Sequence, residues 1–239
     1  MQDIIRIDLD GVNCYLLKNH QNFLLVDTGG HMFLDKQFRD RRSELVLELE
    51  KNGVNDTNLN IILLTHGDND HVCNARYIRD RFHSKIAMHA NDVFMVEQSD
   101  PSCYRVNSNY QSILFKIVFK VMDSRIKLLM EKIYKEFELF KPDILLEDGQ
   151  SLLEFGFEGV ICHCPGHTPG SVGILDDEGN LIAGDLFANQ KKPSLAINAQ
   201  NFDEMKKSAQ KILKNNVLKI YPGHGEPFDA SRMKNSYND

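Results

Sequence analysis

The chain lacks the features that mark several classes of protein. Its 28 lysines and arginines are outnumbered by 34 aspartates and glutamates, and the net charge of −6 argues against general affinity for nucleic acid or an anionic membrane. The first residues show no basic segment followed by a long apolar run, so we expect no signal peptide and a cytoplasmic location. No apolar run has the length that spans a bilayer, and we expect no stable membrane association.

Cysteine is also scarce. The five cysteines are odd in number and scattered, which favours reduced thiols over a disulfide framework. Cys162-His163-Cys164 has the letters of a metal motif, but in an extended strand its thiols and its imidazole point to opposite faces. Because no second cysteine pair would complete such a site, we interpret these residues as structural parts of a buried strand.

What the chain does contain is a mixture of short apolar runs and segments with helical spacing. The predicted strands are 4–9, 12–17, 23–26, 60–64, 85–89, 159–164, 171–175, 181–184 and 218–221. The predicted helices are 33–51, 72–82 and 202–213. Asn201 precedes the last helix with Glu204 three residues on, as in a capping box. This order, without strict βαβ alternation, predicts an α/β fold with sheets in the middle and helices outside.

Residues 101–141 interrupt this pattern within what we predict to be a single domain of residues 1–239. The segment is helical in character and unusually apolar, although charged residues such as Lys116 and Lys120 divide it. One interpretation is a helical pair whose apolar stripe packs on the domain or on a second copy, giving a homodimer. Another is a lid or wall over an active site, which would favour an apolar small-molecule substrate. Interfacial membrane binding is a third.

The segment Thr65-His66-Gly67-Asp68-Asn69-Asp70-His71 carries the strongest functional signal. It places four groups that can bind a metal in the turn between a predicted buried strand and a predicted helix. Imidazole nitrogens and carboxylate oxygens from such a turn can converge on one small volume, as a divalent ion requires. Without a cation these groups would repel one another or stay hydrated. A solvated polar turn is the alternative interpretation.

Three further candidates lie at or just past the ends of predicted strands. His167 follows Pro165-Gly166, Asp185 follows Gly184, and His224 follows Pro222-Gly223. Glycine and proline let the backbone turn sharply and direct a side chain. Residues at strand ends can meet at one edge of a sheet although they are far apart in the chain.

Together these motifs resemble the metallo-β-lactamase superfamily. Its pattern is His-x-His-x-Asp-His, a Pro-Gly-His loop, an aspartate at a strand end and a final Gly-His. The resemblance covers nearly the whole chain and includes Val26-Asp27-Thr28-Gly29, which is similar to an early Asp-Thr-Gly of the family. It implies an αββα sandwich with two mixed sheets in the middle, helices outside, and a one- or two-metal site along one edge of the sheets.

The resemblance also implies a ligand set. Site one would be formed by His66, Asp68 and His167. Site two would be formed by Asp70, His71 and His224, with Asp185 bridging the two ions. Asp27 would orient a ligand or the nearby backbone, although a simple turn-forming aspartate is an equal alternative. The other histidines match no ligand position, and we interpret them as structural or exposed: His20, His31, His83, His89 and His163.

Asp68 departs from the usual pattern, because most members of the family have a second histidine there. Either site one is lost or weakened, or it is kept with an oxygen ligand. The intact His66, His167 and Asp185 favour the second interpretation. An added carboxylate makes the site more anionic and shifts its preference toward iron or manganese, while zinc remains an option.

The resulting functional hypothesis is a hydrolase. A hydroxide bridging two divalent metal ions would attack an ester, thioester, lactone or related bond of a small molecule. Asp70 is the candidate catalytic residue that would pass a proton to the leaving group. The alternatives are a di-iron or iron oxidoreductase of the same fold and a non-catalytic metal-binding module.

Overall fold

The computed structural model describes residues 2–32, 35, 37–98, 109–110 and 112–234. The strands are β1 (Asp3–Asp8), β2 (Asn13–Asn19), β3 (Asn22–Val26), β4 (Leu59–Leu63), β5 (Lys85–His89), β6 (Asn109–Tyr110), β7 (Ile144–Leu146), β8 (Val160–His163), β9 (Val172–Leu175), β10 (Asn180–Asn189), β11 (Ser194–Leu195), β12 (Asn198–Ala199), β13 (Lys219–Gly225) and β14 (Phe228–Asp229). The helices are α1 (Arg42–Lys51), α2 (Asn69–Val72), α3 (Ala75–Phe82), α4 (Val93–Glu97), α5 (Ile113–Val121), α6 (Asp123–Glu136), α7 (Phe202–Leu213) and α8 (Ser231–Lys234). Short 3₁₀ turns cover Ala90–Asp92 and Leu152–Phe155.

The strands form two mixed sheets. The first has the order β1-β2-β3-β4-β5-β7, with antiparallel pairing from β1 to β3 and parallel pairing from β3 to β7. The second has the order β14-β13-β10-β9-β8, with β11 paired to β10. In the second sheet, β10 and β13 run parallel and the other pairs are antiparallel. A separate antiparallel pair joins β12 to β6.

The alternation of side chains along each strand explains the layering. In β2, Cys14 and Leu16 face a core that includes Leu49 of α1, while Tyr15 and Leu17 face the second sheet. Successive side chains of a strand point to opposite faces, so a strand buried on both faces is apolar throughout.

Helices cover the outer face of each sheet. Leu45 of α1 and Ile78 of α3 belong to the core on the outer face of the first sheet. Met205 and Ile212 of α7 belong to the core on the outer face of the second sheet. The result is the αββα sandwich that the sequence predicts.

The predicted helix 33–51 is wrong at its start. Among the described residues the helix begins only at Arg42, because Phe38 and Arg41 have left-handed backbone angles, with φ of 51° and 60°. The Arg41 guanidinium is buried, donates to the Gly30 carbonyl at 3.1 Å and pairs with Asp35 at 2.9 Å. Residues 33, 34 and 36 lie outside the described residues.

The predicted helix 72–82 is also wrong as one element, since it divides into α2 and α3. Asn74 lies between them with a fully buried side chain. Its amide donates to the carbonyl oxygens of Thr28 at 3.0 Å and Asp40 at 2.8 Å. These distant contacts fix the break, and a helical pattern in the sequence does not reveal them.

The predicted helical character of the insertion is confirmed for α5 and α6. Residues 101–108 and 111 lie outside the described residues. Met130, Ile133 and Tyr134 of α6 form a small buried cluster, whereas α5 leaves Val121 81% exposed. Whether the insertion serves as a lid, a dimer face or both stays a prediction. Across the described part of the chain, no helix combines the length and the apolar character needed to cross a bilayer.

Candidate metal centre

The seven predicted ligands come together from four separate parts of the chain. His66 and Asp68 lie in the loop after β4, and Asp70 and His71 lie in the single turn of α2. His167 lies in the loop between β8 and β9. The other two ligands, Asp185 and His224, lie within β10 and β13, which continue further than the predicted strands.

An irregularity between β10 and β13 accommodates Asp185. The register of these paired strands shifts on both sides of Gly184. Gly184 has a φ of 49°, and a Cβ atom there would lie 2.7 Å from Thr65 Oγ1. Glycine at this position therefore permits both the left-handed backbone and the close approach of β10 to the loop that carries His66.

The residues assigned to site one lie within reach of one ion. Asp68 Oδ2 lies 3.0 Å from His167 Nε2 and 3.8 Å from His66 Nε2. These three residues form a group whose potential ligand atoms all lie within 4.8 Å of one another. Such spacing matches the edges of a polyhedron around an ion whose ligands lie about 2.0–2.2 Å away.

The residues assigned to site two form a second group that meets the same 4.8 Å limit. Asp70 Oδ2 lies 3.4 Å from His224 Nε2 and 4.0 Å from His71 Nε2. Asp185 stands between the two groups. Its Oδ1 lies 3.4 Å from His71 Nε2, and its Oδ2 lies 3.7 Å from His167 Nε2.

Buried atoms without partners show that this cluster fits a cation. His66 Nε2, His71 Nε2 and Asp185 Oδ1 are buried and have no hydrogen-bond partner among the described residues. Leaving such atoms unsatisfied costs roughly 1–3 kcal/mol each, and more for a charged group. Two imidazole nitrogens and a carboxylate oxygen that face one another are the donor set that a divalent transition metal satisfies.

The hydrogen bonds of the imidazoles fix which nitrogen faces the site. Nδ1 of His167 and Nδ1 of His224 lie 3.0 and 2.5 Å from the carbonyl oxygens of Asn198 and Gly11. A carbonyl oxygen only accepts, so each Nδ1 carries a proton and donates it. In the neutral ring, each Nε2 then has its lone pair directed at the cluster.

Asp27 and Thr65 impose the same arrangement on the other two imidazoles. His71 Nδ1 donates to Asp27 Oδ2 at 2.9 Å. The Thr65 hydroxyl donates to Asp27 Oδ2 at 2.8 Å, which leaves Thr65 Oγ1 to accept from His66 Nδ1 at 2.9 Å. Asp27 has a left-handed backbone with a φ of 61°. Its contacts favour the interpretation in which it orients a ligand and the nearby backbone.

Opposite charges hold the cluster together. Burial lowers the pKa of His71 and of His224, but the neighbouring carboxylates, with Asp185 the largest contributor, together outweigh it and raise both pKa values well above the ordinary value. Burial raises the pKa of Asp185, and the two imidazoles outweigh that effect and lower it. Protons on the imidazoles therefore neutralise the carboxylates here, and a bound cation would take over that role.

Asp92, which no pattern in the sequence marked, also belongs to the surroundings of the cluster. Asp92 is fully buried directly after β5 and accepts hydrogen bonds from the loops that carry His66 and His167. Its place just past a strand end is like that of the predicted ligands, but this place alone does not distinguish Asp92 from an ordinary loop residue. The side chain lacked a neighbouring histidine or cysteine that would have pointed to a metal.

A cavity of about 190 Å³ opens over the cluster. Its lining includes the carboxylates of Asp68, Asp70 and Asp185 and the apolar side chains of Met32, Ala188, Ala196 and Ile197. Tyr110 of the insertion also lines it, and burial together with Asp68 raises the pKa of its phenol to about 12. Pairing of β6 with β12 thus connects the insertion to Asn198, whose carbonyl orients His167.

The sequence of the chain matches a known protein family. A sequence model described as the metallo-beta-lactamase superfamily matches residues 7–224. The chain belongs to this superfamily. It is 26% identical over 189 residues to the hydroxyacylglutathione hydrolase GloC of Haemophilus influenzae, an alignment that covers 77% of this chain and 71% of that protein.

Solved structures of the superfamily share the fold. A metallo-β-lactamase family protein of Thermus thermophilus has a TM-score of 0.70 at 20% identity, covering 99% of this chain and 78% of the other. TTHA1623, crystallised in a di-iron-bound form, has a TM-score of 0.61 at 21% identity. The superposition covers 96% of this chain and 96% of that protein. At these identities the likeness establishes the fold alone.

Proposed function

We propose that the protein is a metal-dependent hydrolase that cleaves an ester, thioester, lactone or related bond of a small molecule. The observation that carries the proposal is the convergence of seven ligand-type side chains beneath a cavity, with buried nitrogen and oxygen atoms that lack hydrogen-bond partners among the described residues and that a cation would satisfy. Hydrolysis is also the activity named for the GloC relative.

In this proposal His66, Asp68 and His167 hold one ion. A second ion is held by Asp70, His71 and His224, with Asp185 between the two. When bound, the ions would polarise the substrate oxygen and lower the pKa of a water molecule to supply the nucleophile. The Nδ1 hydrogen bonds to Asp27, Thr65 and two carbonyl groups keep the imidazole lone pairs directed inward.

Asp70 is proposed to move the proton. Its side chain is 26% exposed and lines the cavity, whereas the side chain of His71 is fully buried. A carboxylate at the boundary between the cluster and the cavity can take a proton from the attacking water and give it to the departing group. Tyr110, protonated at neutral pH, also lines the cavity.

The proposed metals are two divalent ions, with iron or manganese favoured over zinc by the oxygen ligand Asp68. The di-iron form of a protein with the same fold supports this preference. The same two observations favour a second candidate function, an iron-dependent oxidoreductase. It differs from the hydrolase in requiring an electron donor or acceptor besides the substrate.

The test is a kinetic comparison of wild type with Asp70→Asn on chromogenic esters, lactones and thioesters. We expect zinc-, manganese- or iron-loaded wild type to hydrolyse one substrate class and lose activity with a chelator. Asp70→Asn should lower kcat about 100-fold or more with a smaller change in KM, because proton transfer contributes roughly 10²–10⁴-fold.

Asp203→Asn is a suitable control, because Asp203 is an exposed aspartate in the first turn of α7, on the outer face of the second sheet. Its kinetics should match wild type. Unchanged kcat in Asp70→Asn would remove that residue from the mechanism. Absence of any hydrolysis by metal-loaded wild type, together with oxygen consumption in the presence of a reductant, would favour the oxidoreductase.

A further inference from the structure

Asp92 connects the two loops that carry site one. Its side chain has no exposed surface and accepts three hydrogen bonds. Oδ2 accepts from Gly67 N at 2.9 Å and from the Thr168 hydroxyl at 2.6 Å, and Oδ1 accepts from Gly170 N at 2.7 Å. One carboxylate therefore joins the loop after β4 to the loop after β8.

The bonded groups stand next to all three residues of site one. Gly67 lies between His66 and Asp68 in the chain, and Thr168 directly follows His167. A hydrogen bond to Gly67 N fixes the peptide plane between His66 and Gly67, one residue before Asp68. The bond to Thr168 fixes the residue after the third.

Close packing around Asp92 adds to these bonds. A Cβ atom on Gly170 would lie 2.5 Å from Asp92 Cγ, and one on Gly67 would lie 2.6 Å from Met95 Sδ. Both loops thus press their backbones against residues 92–95 at positions where only glycine fits. One short segment, residues 92–95, therefore contacts both loops.

Site two has different supports. Asp27 bonds His71 Nδ1, and the Gly11 carbonyl bonds His224 Nδ1. The hydrogen-bond partners of Asp92 among the described residues all belong to the loops of site one. Asp27 also reaches His66 through Thr65, so it contributes to both sites, whereas Asp92 bonds the loops of site one alone.

We propose that Asp92 is the positioning residue of site one, acting through the Gly67 and Thr168 loops to set the spacing of His66, Asp68 and His167. The inference rests on the proposed metal centre and adds to it a specific dependence of one ion on a residue that contacts neither ion. Three donors require both oxygens of an ionised carboxylate. An asparagine in its place offers one acceptor oxygen and turns two amide protons toward groups that themselves donate.

The test measures zinc affinity. Metal-free protein is titrated with Zn²⁺ against a chromogenic chelator at pH 7.5, which gives the number of ions and their dissociation constants. Asp92→Asn is measured alone, in a His224→Ala background that removes a site-two ligand, and in a His66→Ala background that removes a site-one ligand. In the His224→Ala background we expect Asp92→Asn to weaken zinc binding about 10-fold, which is the lower end of the range for residues that orient metal ligands. In the His66→Ala background we expect no change in zinc affinity.

Asp176→Asn is the matched control, because Asp176 is 7% exposed and also accepts three hydrogen bonds, at 3.0, 2.8 and 2.9 Å, in the turn between β9 and β10. Its thermal stability should fall while both zinc affinities stay at the wild-type value. If Asp92→Asn does not fold, Thr168→Val replaces it, since that change removes one donor to Asp92 with little change in volume. A site-one affinity reduced severalfold in Thr168→Val would then support the role.

The outcomes separate the two proposals. The role of Asp92 alone is overturned if wild type binds two zinc ions and Asp92→Asn leaves both affinities unchanged. The same holds if Asp92→Asn weakens both affinities equally. Wild type that binds no zinc, manganese or iron overturns the metal centre and, with it, this inference.

Discussion

Replacement of Asp27 by asparagine tests how the orientation of the imidazoles controls the candidate centre. Asp27 has a φ of 61°, a conformation that asparagine tolerates well, so the backbone is not strained by the change. The carboxylate accepts from Thr65 N at 2.8 Å, from the Thr65 hydroxyl at 2.8 Å and from His71 Nδ1 at 2.9 Å. If the amide oxygen of the asparagine accepts from Thr65 N, the NH₂ group faces the other two donors, the Thr65 hydroxyl and His71 Nδ1.

The magnitude follows from these lost bonds. Two buried hydrogen bonds to a charged acceptor, at about 1.5–3 kcal/mol each and partly recovered by rotation of the hydroxyl, predict about 2–4 kcal/mol of lost stability. For a domain of this size that corresponds to a melting temperature lower by roughly 4–16 °C. His71 can relieve the clash by moving its proton to Nε2, where it blocks the metal, so metal affinity should fall about 10–100-fold.

The assay is a zinc titration against a competing chelator, paired with thermal melts with and without metal. Asp10→Asn serves as control, because Asp10 also has a left-handed φ, 56°, but its side chain is 68% exposed. The control should bind zinc as wild type does. An affinity of Asp27→Asn within twofold of wild type would refute the argument that Asp27 sets the His71 tautomer.

Two further predictions concern the composition and the protonation of the centre. Asp68→His should raise the ratio of zinc to iron and manganese in protein from unsupplemented cells, because the change replaces an oxygen ligand by a nitrogen ligand. Metal analysis that finds only zinc, at full occupancy, in wild type would contradict this prediction. Metal binding should weaken as the pH falls below about 9, because burial lowers the pKa of His167 but the neighbouring Asp68 and Asp185 raise it to about 9. Below that pH the imidazole is protonated, so the ion must displace a proton in order to bind. Calorimetry in buffers of different ionisation enthalpy counts that proton, and no proton release at pH 7 would contradict the prediction.

Local signals in the sequence predicted the elements whose ends are determined locally. The helix α7 occupies the predicted residues, because the Asn201 side chain accepts from the backbone amides of Asp203 and Glu204, both at 3.1 Å. The strand β5 likewise has its predicted bounds. A cap or an apolar run with turn residues on both sides contains the information that ends the element.

Elements whose ends depend on distant contacts were not predictable in this way. The start of α1 is determined by a buried arginine, Arg41, that bonds a carbonyl 11 residues away. The break between α2 and α3 is determined by Asn74, which bonds residues 46 and 34 positions away. Neither contact leaves a periodic pattern in the sequence.

The candidate centre shows the same division. Its potential ligands were predictable, because their residue types are rare in combination and follow a family pattern. Asp92 was not, since its partners Gly67 and Thr168 lie 25 and 76 residues away and are ordinary loop residues. Residues that orient ligands through the backbone can be recognised only when the fold brings them together.

The position of Asp68 links the choice of metal to the choice of substrate. Its side chain is 21% exposed and lines the cavity, whereas that of His66 is 1% exposed and faces only the cluster. A carboxylate at the cavity surface lowers the positive potential that the two ions would present to an approaching ligand. A centre with Asp68 should therefore attract an anionic substrate less strongly than one with histidine there. If the hydrolase proposal holds, Asp68→His should lower KM for substrates with a carboxylate near the cleaved bond more than for neutral esters or lactones.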